Sequence, residues 1–214
     1  MAITTFDQYI GAYKQYLQME KTNTVTTVAG RFSTMFDRAG YPTAGSLNPN
    51  QTTNGAVPTD ATTGFPAIEN FQGSNLGHLS RVEAYSNVAT TLALFDVLFW
   101  AGQTTIPTSS TTTVALTSRP DFSGRVPLAG NGTDRAWAQT ELWLWSSVAW
   151  SNHAHTASVD YTDQDNNAGA NTGNVSTQNR PINSMMRMPW AAGDYGARAL
   201  EGYKLNGVTS AAGS

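Results

Sequence analysis

The chain has no cysteine and few charged residues, and each shortage excludes a group of functions. Without cysteine there are no disulfides, no zinc–thiolate sites and no thiol nucleophiles. Charged residues make up 13% of the chain, against about 25% in a typical globular domain. The net charge of −3 argues against sequence-independent nucleic-acid binding, which needs a basic excess to neutralise phosphates. With so few charged residues, electrostatic repulsion between packed copies is small, which suits a protein that covers much of its surface in an assembly.

The chain also lacks the long apolar segments that export or membrane insertion requires. Residues 1–17 contain neither a basic n-region nor a continuous apolar h-region, so no signal peptide is expected. The longest apolar run, near residues 92–102, is interrupted by Asp96 and is far shorter than a membrane span. We therefore expect a protein that is made and used without export and has no membrane partner.

Tryptophan is concentrated in one stretch, since four of the six tryptophans lie within residues 137–150. If this stretch is a strand, Trp143 and Trp145 share one face with Glu141, and leucines occupy the other face. Both faces are then apolar, whereas a solvent-facing antiparallel strand has one polar face. The strand therefore needs cover on both sides, from the chain or from another subunit. Trp143 and Trp145 are accordingly candidate interface residues.

Residues 1–42 are predicted to be an N-terminal helical segment. Residues 4–20 carry an approximate apolar stripe at helical spacing, with a threonine as N-cap and an aspartate in the first turn. Residues 31–39 are predicted to form a short second helix that ends at Gly40.

Residues 43–77 are predicted to be an extended arm. They are rich in Pro, Gly, Asn and Thr and show no periodicity, and a loop of this length is uncommon inside a compact domain. Their isolated apolar residues indicate an arm that becomes ordered by lying on a partner, with Phe65, Ile68 and Phe71 as anchors.

Residues 78–214 are predicted to be a β domain of the sandwich or jelly-roll type. β-branched and aromatic residues predict a run of strands, separated by turns rich in Gly and Asn and without interleaved helices. The predicted strands are 79–102 (which a bulge near residues 86–87 could divide), 111–117, 139–150, 157–162, 184–189 and 200–208.

Two segments could bind a metal, and each has a simpler structural interpretation. His153 and His155 could begin a metal site with a nearby aspartate, but solvent-exposed turn histidines are expected here. Residues 163–167 have the alternating oxygen ligands of a calcium loop. They lack the glycine and the final acid that such a loop needs, so a hairpin loop is expected instead.

Catalytic patterns are also missing from the sequence. There is no Gly-x-Ser-x-Gly elbow and no glycine-rich phosphate loop. Glu141 is a candidate acid for glycoside hydrolysis because it shares a face with two tryptophans, but a glycoside hydrolase needs a second acid. A salt bridge to an arginine is the favoured interpretation, with Arg119, Arg125 and Arg135 as candidates. We therefore predict no enzyme, no cofactor, and no catalytic or metal-binding residue.

Two arginines near the C-terminus are further candidate interface residues. Arg187 and Arg198 flank a Gly-Asp-Tyr-Gly turn in a chain that has only three lysines. The planar guanidinium group favours ion pairs at interfaces. Solvated charges beside a surface turn are the alternative.

Three segments resemble motifs of tailed-bacteriophage virion proteins. Residues 30–46 contain an aromatic pair, Arg-Ala-Gly and Pro-x-x-Gly. Residues 159–172 contain Tyr-Thr-x-Gln-Asp, after the Glu-Leu-Trp-Leu-Trp strand, and residues 185–205 contain Pro-x-x-x-Gly-Asp-x-Gly-x-Arg. Together they resemble capsid decoration (cement) proteins over most of the chain from about residue 30.

This resemblance implies a specific assembly and location. The protein would be a homotrimer on the outer surface of the virion capsid, made in the host cytoplasm, and would clamp neighbouring capsomers by binding the major capsid protein. No catalytic residues carry over. One alternative is a tail, neck or head-fibre component of the same particle. Another is a carbohydrate-binding β-sandwich module with Trp143 and Trp145 as a sugar platform, and a hydrolase is a third.

Overall fold

The computed structural model describes residues 5–7, 10, 18–22, 28–46, 51–59, 61–66, 81–86, 88–102, 110–126, 128–129 and 134–207. Within these residues the chain is mainly β, with three sheets and almost no helix. The strands are β1 (Glu20–Lys21), β2 (Phe32–Ser33), β3 (Gly40–Tyr41), β4 (Thr111–Ala115), β5 (Leu142–Trp145), β6 (Thr156–Asp163), β7 (Ala170–Asn171), β8 (Val175–Ser176), β9 (Ser184–Met188) and β10 (Ala197–Asn206). The described helical turns are α1 (Gln51–Asn54) and two 3-10 helices, Phe122–Gly124 and Trp137–Gln139.

The largest sheet has the strand order β4-β10-β6-β7, with β8 also paired to β6, and its pairs are antiparallel. Its central strand β10 places Tyr203 between Val114 of β4 and Val159 of β6. Gly202 is needed where β10 approaches β4, because a Cβ there would lie 2.5 Å from the carbonyl oxygen of Val114. Large apolar side chains stand at every second position where these strands are regular, Val159 and Tyr161 in β6 and Tyr203 and Leu205 in β10, and this spacing favours one register.

A second sheet, in the order β2-β9-β5, packs its inner face against the large sheet. Trp143 of β5 lies opposite Arg187 of β9, and Leu144 lies opposite Met186. The buried core between the sheets consists of Val114, Leu116, Ala157, Val159, Met186, Met188, Tyr203 and Leu205. Two sheets around one apolar core are consistent with a β-sandwich-like fold.

The helices predicted within residues 1–42 are not supported. Residues 31–39 contain β2 and turns, because Phe32 and Ser33 pair with β9. Most of the helix predicted at 4–20 lies outside the described residues, and Glu20 belongs to β1, where it pairs with Tyr41. In residues 31–39, pairing between distant segments has overridden local helical propensity.

Five predicted strands are confirmed with adjusted ends, as β4, β5, β6, β9 and β10. The long strand predicted at 79–102 is wrong. Residues 81–86 and 88–99 form no ladder in the described part of the chain, and only Trp100 makes a bridge, to Ala56. β-branched and aromatic composition favours extended backbone, but a strand also needs a neighbour to take its hydrogen bonds.

Candidate interaction surface

The outer face of the three-stranded sheet is an aromatic surface. Its centre is formed by Trp143 and Trp145, which alternate along β5 with leucines that pack against the core. The ring of Phe32 lies 5.2 Å from the Trp143 ring, and that of Phe95 lies 5.5 Å from it. Phe36 meets Trp145 edge-on at 5.6 Å. Every residue of β5 is half-buried, so the chain itself supplies part of the cover that a doubly apolar strand needs.

Phe65, one of the predicted interface residues, packs within the chain. Its ring stacks on Trp100 with the ring centres 5.4 Å apart, and it lies 5.1 Å from Phe36. Phe36 joins this cluster to the aromatic surface. A further contact of Phe65 with a partner stays a prediction. Ile68 and Phe71, the other two predicted anchors, lie outside the described residues.

The described parts of the predicted arm at 43–77 also contact the rest of the chain. Ala56 and Trp100 exchange two backbone hydrogen bonds, of 2.7 and 2.9 Å. The backbone N–H of Thr117 donates to the carbonyl of Thr53 at 2.8 Å. Residues 51–66 are therefore held, where they are described, by intramolecular contacts.

Glu141 lies on the aromatic surface and has two donors. The indole N–H of Trp143 donates to one carboxylate oxygen at 2.9 Å, and the guanidinium of Arg187 lies 3.3 Å from the other. These three side chains share a face, because Trp143 stands opposite Arg187 and two residues after Glu141. The predicted salt bridge is present, but with a different arginine. In the described part of the chain no second carboxylate contacts Glu141, so the acid pair of a glycosidase is not formed there.

Arg198, like Arg187, forms an ion pair within the chain. It lies 3.0 Å from Asp121, with its guanidinium carbon 5.6 Å from the centre of the Trp137 ring. Burial by itself would raise the pKa of Asp121, but hydrogen bonds from Ser123 and Arg198 outweigh it and lower that pKa. A role for either arginine at an interface stays a prediction. The three arginines suggested for Glu141 have other contacts: Arg119 with Glu201, Arg125 with Asp96, and Arg135 with the carbonyl of Val126.

A long segment without regular secondary structure exposes apolar side chains to solvent. Residues 81–86 and 88–96, called here the apolar arm, form no ladder with any described residue. Five large side chains of this arm are exposed by 62, 88, 63, 60 and 67%: Val82, Tyr85, Val88, Leu92 and Leu94. All but the tyrosine lie at even positions, a spacing that would place them on one side if the segment formed a strand.

The C-terminal end of the apolar arm is fixed to the body of the protein. Arg125 lies 2.6 Å from Asp96 and also donates to the carbonyls of Val97 and Leu98. The contact of Phe95 with Trp143 places this end of the arm at the aromatic surface. The arm and the aromatic surface therefore form one continuous apolar region. The alternation of this segment is visible in the sequence and predicts a paired strand, because the sequence does not show whether a partner strand exists.

The histidine pair and the aspartate loop do not form a metal site in the described residues, where no group of three or more His, Asp or Glu could hold an ion. His155 is fully buried rather than exposed as predicted, and its carbonyl accepts the backbone N–H of Thr177 at 2.9 Å. Asp163 accepts hydrogen bonds from the backbone of Asp165 and from the backbone and side chain of Asn167, at 2.8–2.9 Å. Burial alone would raise the pKa of Asp163, but these bonds lower it. The loop is thus organised by its own side chains, as predicted.

The candidate surface is identified from the structure of this chain alone. No family model, curated protein or solved structure matches the sequence. Among the described residues there is no helix with the length and apolar character to span a membrane. What the structure offers is a half-covered aromatic surface around Trp143, continuous with the apolar arm.

Proposed function

We propose that this chain is a non-enzymatic virion structural protein, a homotrimeric cement protein on the outer surface of a tailed-bacteriophage capsid. The observation that carries the proposal is the apolar arm, whose exposed side chains find no cover in the described chain. The partners are other copies of the chain and the major capsid protein. The protein acts by burying apolar surface between neighbouring subunits of the shell.

The free energy of covering the apolar arm favours an assembled state. Soluble monomers seldom expose contiguous apolar patches larger than a few hundred Å². At about 25 cal/mol per Å², burying roughly 300 Å² of the arm contributes about 7 kcal/mol, before the costs of ordering and association. A trimer repeats this contact three times, so a small protein without disulfides can hold a shell together.

The backbone of the apolar arm is also suited to strand addition. An extended segment with unpaired N–H and C=O groups can add to the open edge of a sheet. Among the described strands, β4 and β5 each pair with only one neighbour. The arm of one subunit can therefore extend a sheet of the next, and three such contacts close a ring.

The positions of the motifs and the low charge also support the proposal. Segments 159–172 and 185–205, which resemble cement proteins, contain the paired strands β6 and β10. Segment 30–46 contains β2, which pairs with β9 beside the aromatic surface. With only 13% charged residues, electrostatic repulsion between packed copies is small.

A paired substitution on the apolar arm tests the proposal. Leu92→Ser with Leu94→Ser removes two exposed apolar side chains and should leave the isolated chain folded. It should convert the trimer to monomer in light scattering and reduce occupancy on undecorated capsids. Val148→Ser removes an exposed apolar residue outside the arm and should keep both properties. A wild-type protein that is monomeric at micromolar concentration and does not bind capsids would refute the proposal.

The alternative functions predict different results. A tail, neck or head-fibre component would share the oligomeric state, but labelling of intact particles would place it away from the capsid surface. A sugar-binding module needs an open tryptophan face, whereas Phe32 and Phe95 lie against the Trp143 ring. Strong quenching of tryptophan fluorescence by iodide would favour the sugar-binding module over the cement protein.

A further inference from the structure

Arg31 contacts the loop that carries Arg180, and neither arginine forms an ion pair with a described carboxylate. Six of the nine arginines lie within 4.0 Å of a carboxylate: Arg38, Arg81, Arg119, Arg125, Arg187 and Arg198. Arg31 and Arg180 have no carboxylate within this distance in the described part of the chain. In a protein with so little charge, two neighbouring cations without an anion require an explanation.

Arg31 contacts the loop that carries Arg180. Arg31 donates through Nη1 to the carbonyl of Asn179, the residue before Arg180. Nη2 of Arg180 lies 3.0 Å from the sulfur of Met186, and its carbonyl accepts the backbone N–H of Trp150 at 2.7 Å. Nε of Arg180 is buried and has no hydrogen-bond partner among the described residues. A donor of a charged group is thus left without a hydrogen-bond partner in the described part of the chain.

The loop that carries Arg180 is fixed by amide side chains. Gln178 donates to the carbonyl of Asn152 at 2.6 Å, and Nδ2 of Asn179 donates to Oδ1 of Asn152 at 2.9 Å. Asn179 adopts a φ of 54°, in the left-handed region that Asn tolerates better than most residues. These amides bind one another and bring no negative charge to the arginines. These contacts fix the loop immediately before Arg180.

The arrangement is unfavourable unless an anion joins it. Burial, together with the positive charge of Arg31, lowers the pKa of Arg180, yet a guanidinium stays charged at neutral pH. A partly buried cation without a counter-charge costs free energy, and guanidinium groups bind carboxylate and phosphate oxygens with good geometry. We propose that Arg31 and Arg180 form an anion-binding site that takes a carboxylate or a phosphate group from outside this chain.

Thermal unfolding of the full chain in different anions tests the site. Ionic strength is held constant with sodium chloride, and inorganic phosphate or acetate replaces part of the chloride. An anion present at about ten times its Kd should raise the wild-type Tm by about 3–6 °C. Arg180→Gln and Arg31→Gln should each lose more than half of this rise. Arg81→Gln is the control and should keep it, because Arg81 is exposed and pairs with Glu83.

The comparison between variants separates specific binding from a general salt effect. Phosphate also stabilises proteins by exclusion from their surface, which would act equally on all four proteins. If only phosphate produces a rise in Tm that both variants lose, the site binds phosphate. If only acetate does so, the site binds carboxylate. If both anions do so, the site binds oxyanions in general. An equal rise in all four proteins, or no rise in any, overturns the proposal. If Arg180→Gln does not fold, the rise in Tm of Arg31→Gln is compared with that of the wild type and of Arg81→Gln in the same way.

Discussion

Strand β10 and the apolar arm have similar sequence patterns and opposite surroundings. In β10, Tyr203 and Leu205 are buried, with β4 on one side of the strand and β6 on the other. In the arm, Leu92 and Leu94 are also two positions apart in the sequence, yet each is more than half exposed. Alternation therefore shows which side of a segment is apolar. It does not show whether the surface that covers this side belongs to the same chain.

This difference separates the stability of the isolated chain from its association with partners. β10 is paired along both edges and stabilises the fold of the isolated chain. The apolar arm gains its apolar stabilisation only when a partner covers it, so that contribution depends on protein concentration. Substitutions in β10 should therefore change unfolding, whereas substitutions in the arm should change association.

The largest expected effect comes from removing a core side chain of β10. Leu205→Ala should lower the free energy of unfolding by about 2–5 kcal/mol, because it leaves a cavity between the two sheets. Leu92→Ala removes the same groups from the arm and should change unfolding of the dilute chain by less than about 0.5 kcal/mol. Chemical denaturation at protein concentrations below the dissociation constant of the assembly measures both. Equal losses would mean that the arm is covered within the isolated chain.

A smaller effect is expected where β10 approaches β4. Gly202→Ala should cost about 1–3 kcal/mol, because the new Cβ would overlap the carbonyl oxygen of Val114 and the backbones would have to separate. Gly124→Ala is the matched control, since a Cβ there meets no atom within 4 Å. The same denaturation measurement applies. A Gly202→Ala protein as stable as the control would show that the two strands are farther apart than described.

The smallest effect concerns the loop after β6. The pKa of Asp163 is lower in the folded chain than its usual value of 3.8, so ionised Asp163 stabilises the fold above that value. This contribution is lost as the pH falls from about 5 through the folded pKa, because the proton then disrupts the loop hydrogen bonds. Asp163→Asn should flatten this part of the pH dependence of unfolding, and the exposed Asp165→Asn should not. An unchanged pH dependence in Asp163→Asn would contradict this role.

Much of the β domain could be predicted from local patterns. Apolar residues alternate around Val159 and Tyr161, and again around Tyr203 and Leu205. This pattern predicts the strands correctly because the chain itself supplies their neighbouring strands and their apolar cover. Residues 31–39 were assigned to the wrong element, because the pairing of Phe32 with Met185 joins segments about 150 positions apart. Such pairing has no signal in a local window, so propensity alone favoured a helix.

The candidate site was predicted in its parts but not in its arrangement. The tryptophans of β5 and the salt bridge of Glu141 follow from strand periodicity. The partner Arg187 does not, because it is set by the register between β5 and β9. The contact of Arg31 with the carbonyl of Asn179 likewise depends on how two distant segments cross. The exposed state of the apolar arm depends on which partner strands are present, and composition does not specify this.

Hydrogen–deuterium exchange of residues 88–96 at two protein concentrations tests the central claim most directly. If the apolar arm is covered in the assembled protein, its amides should exchange slowly at high concentration and fast after dilution. The amides of β10 should exchange slowly in both samples, because their partners are in the same chain. Fast exchange of the arm at every concentration would contradict the claim. Slow exchange in a sample that sediments as monomer would contradict it equally, since the arm would then be covered by its own chain.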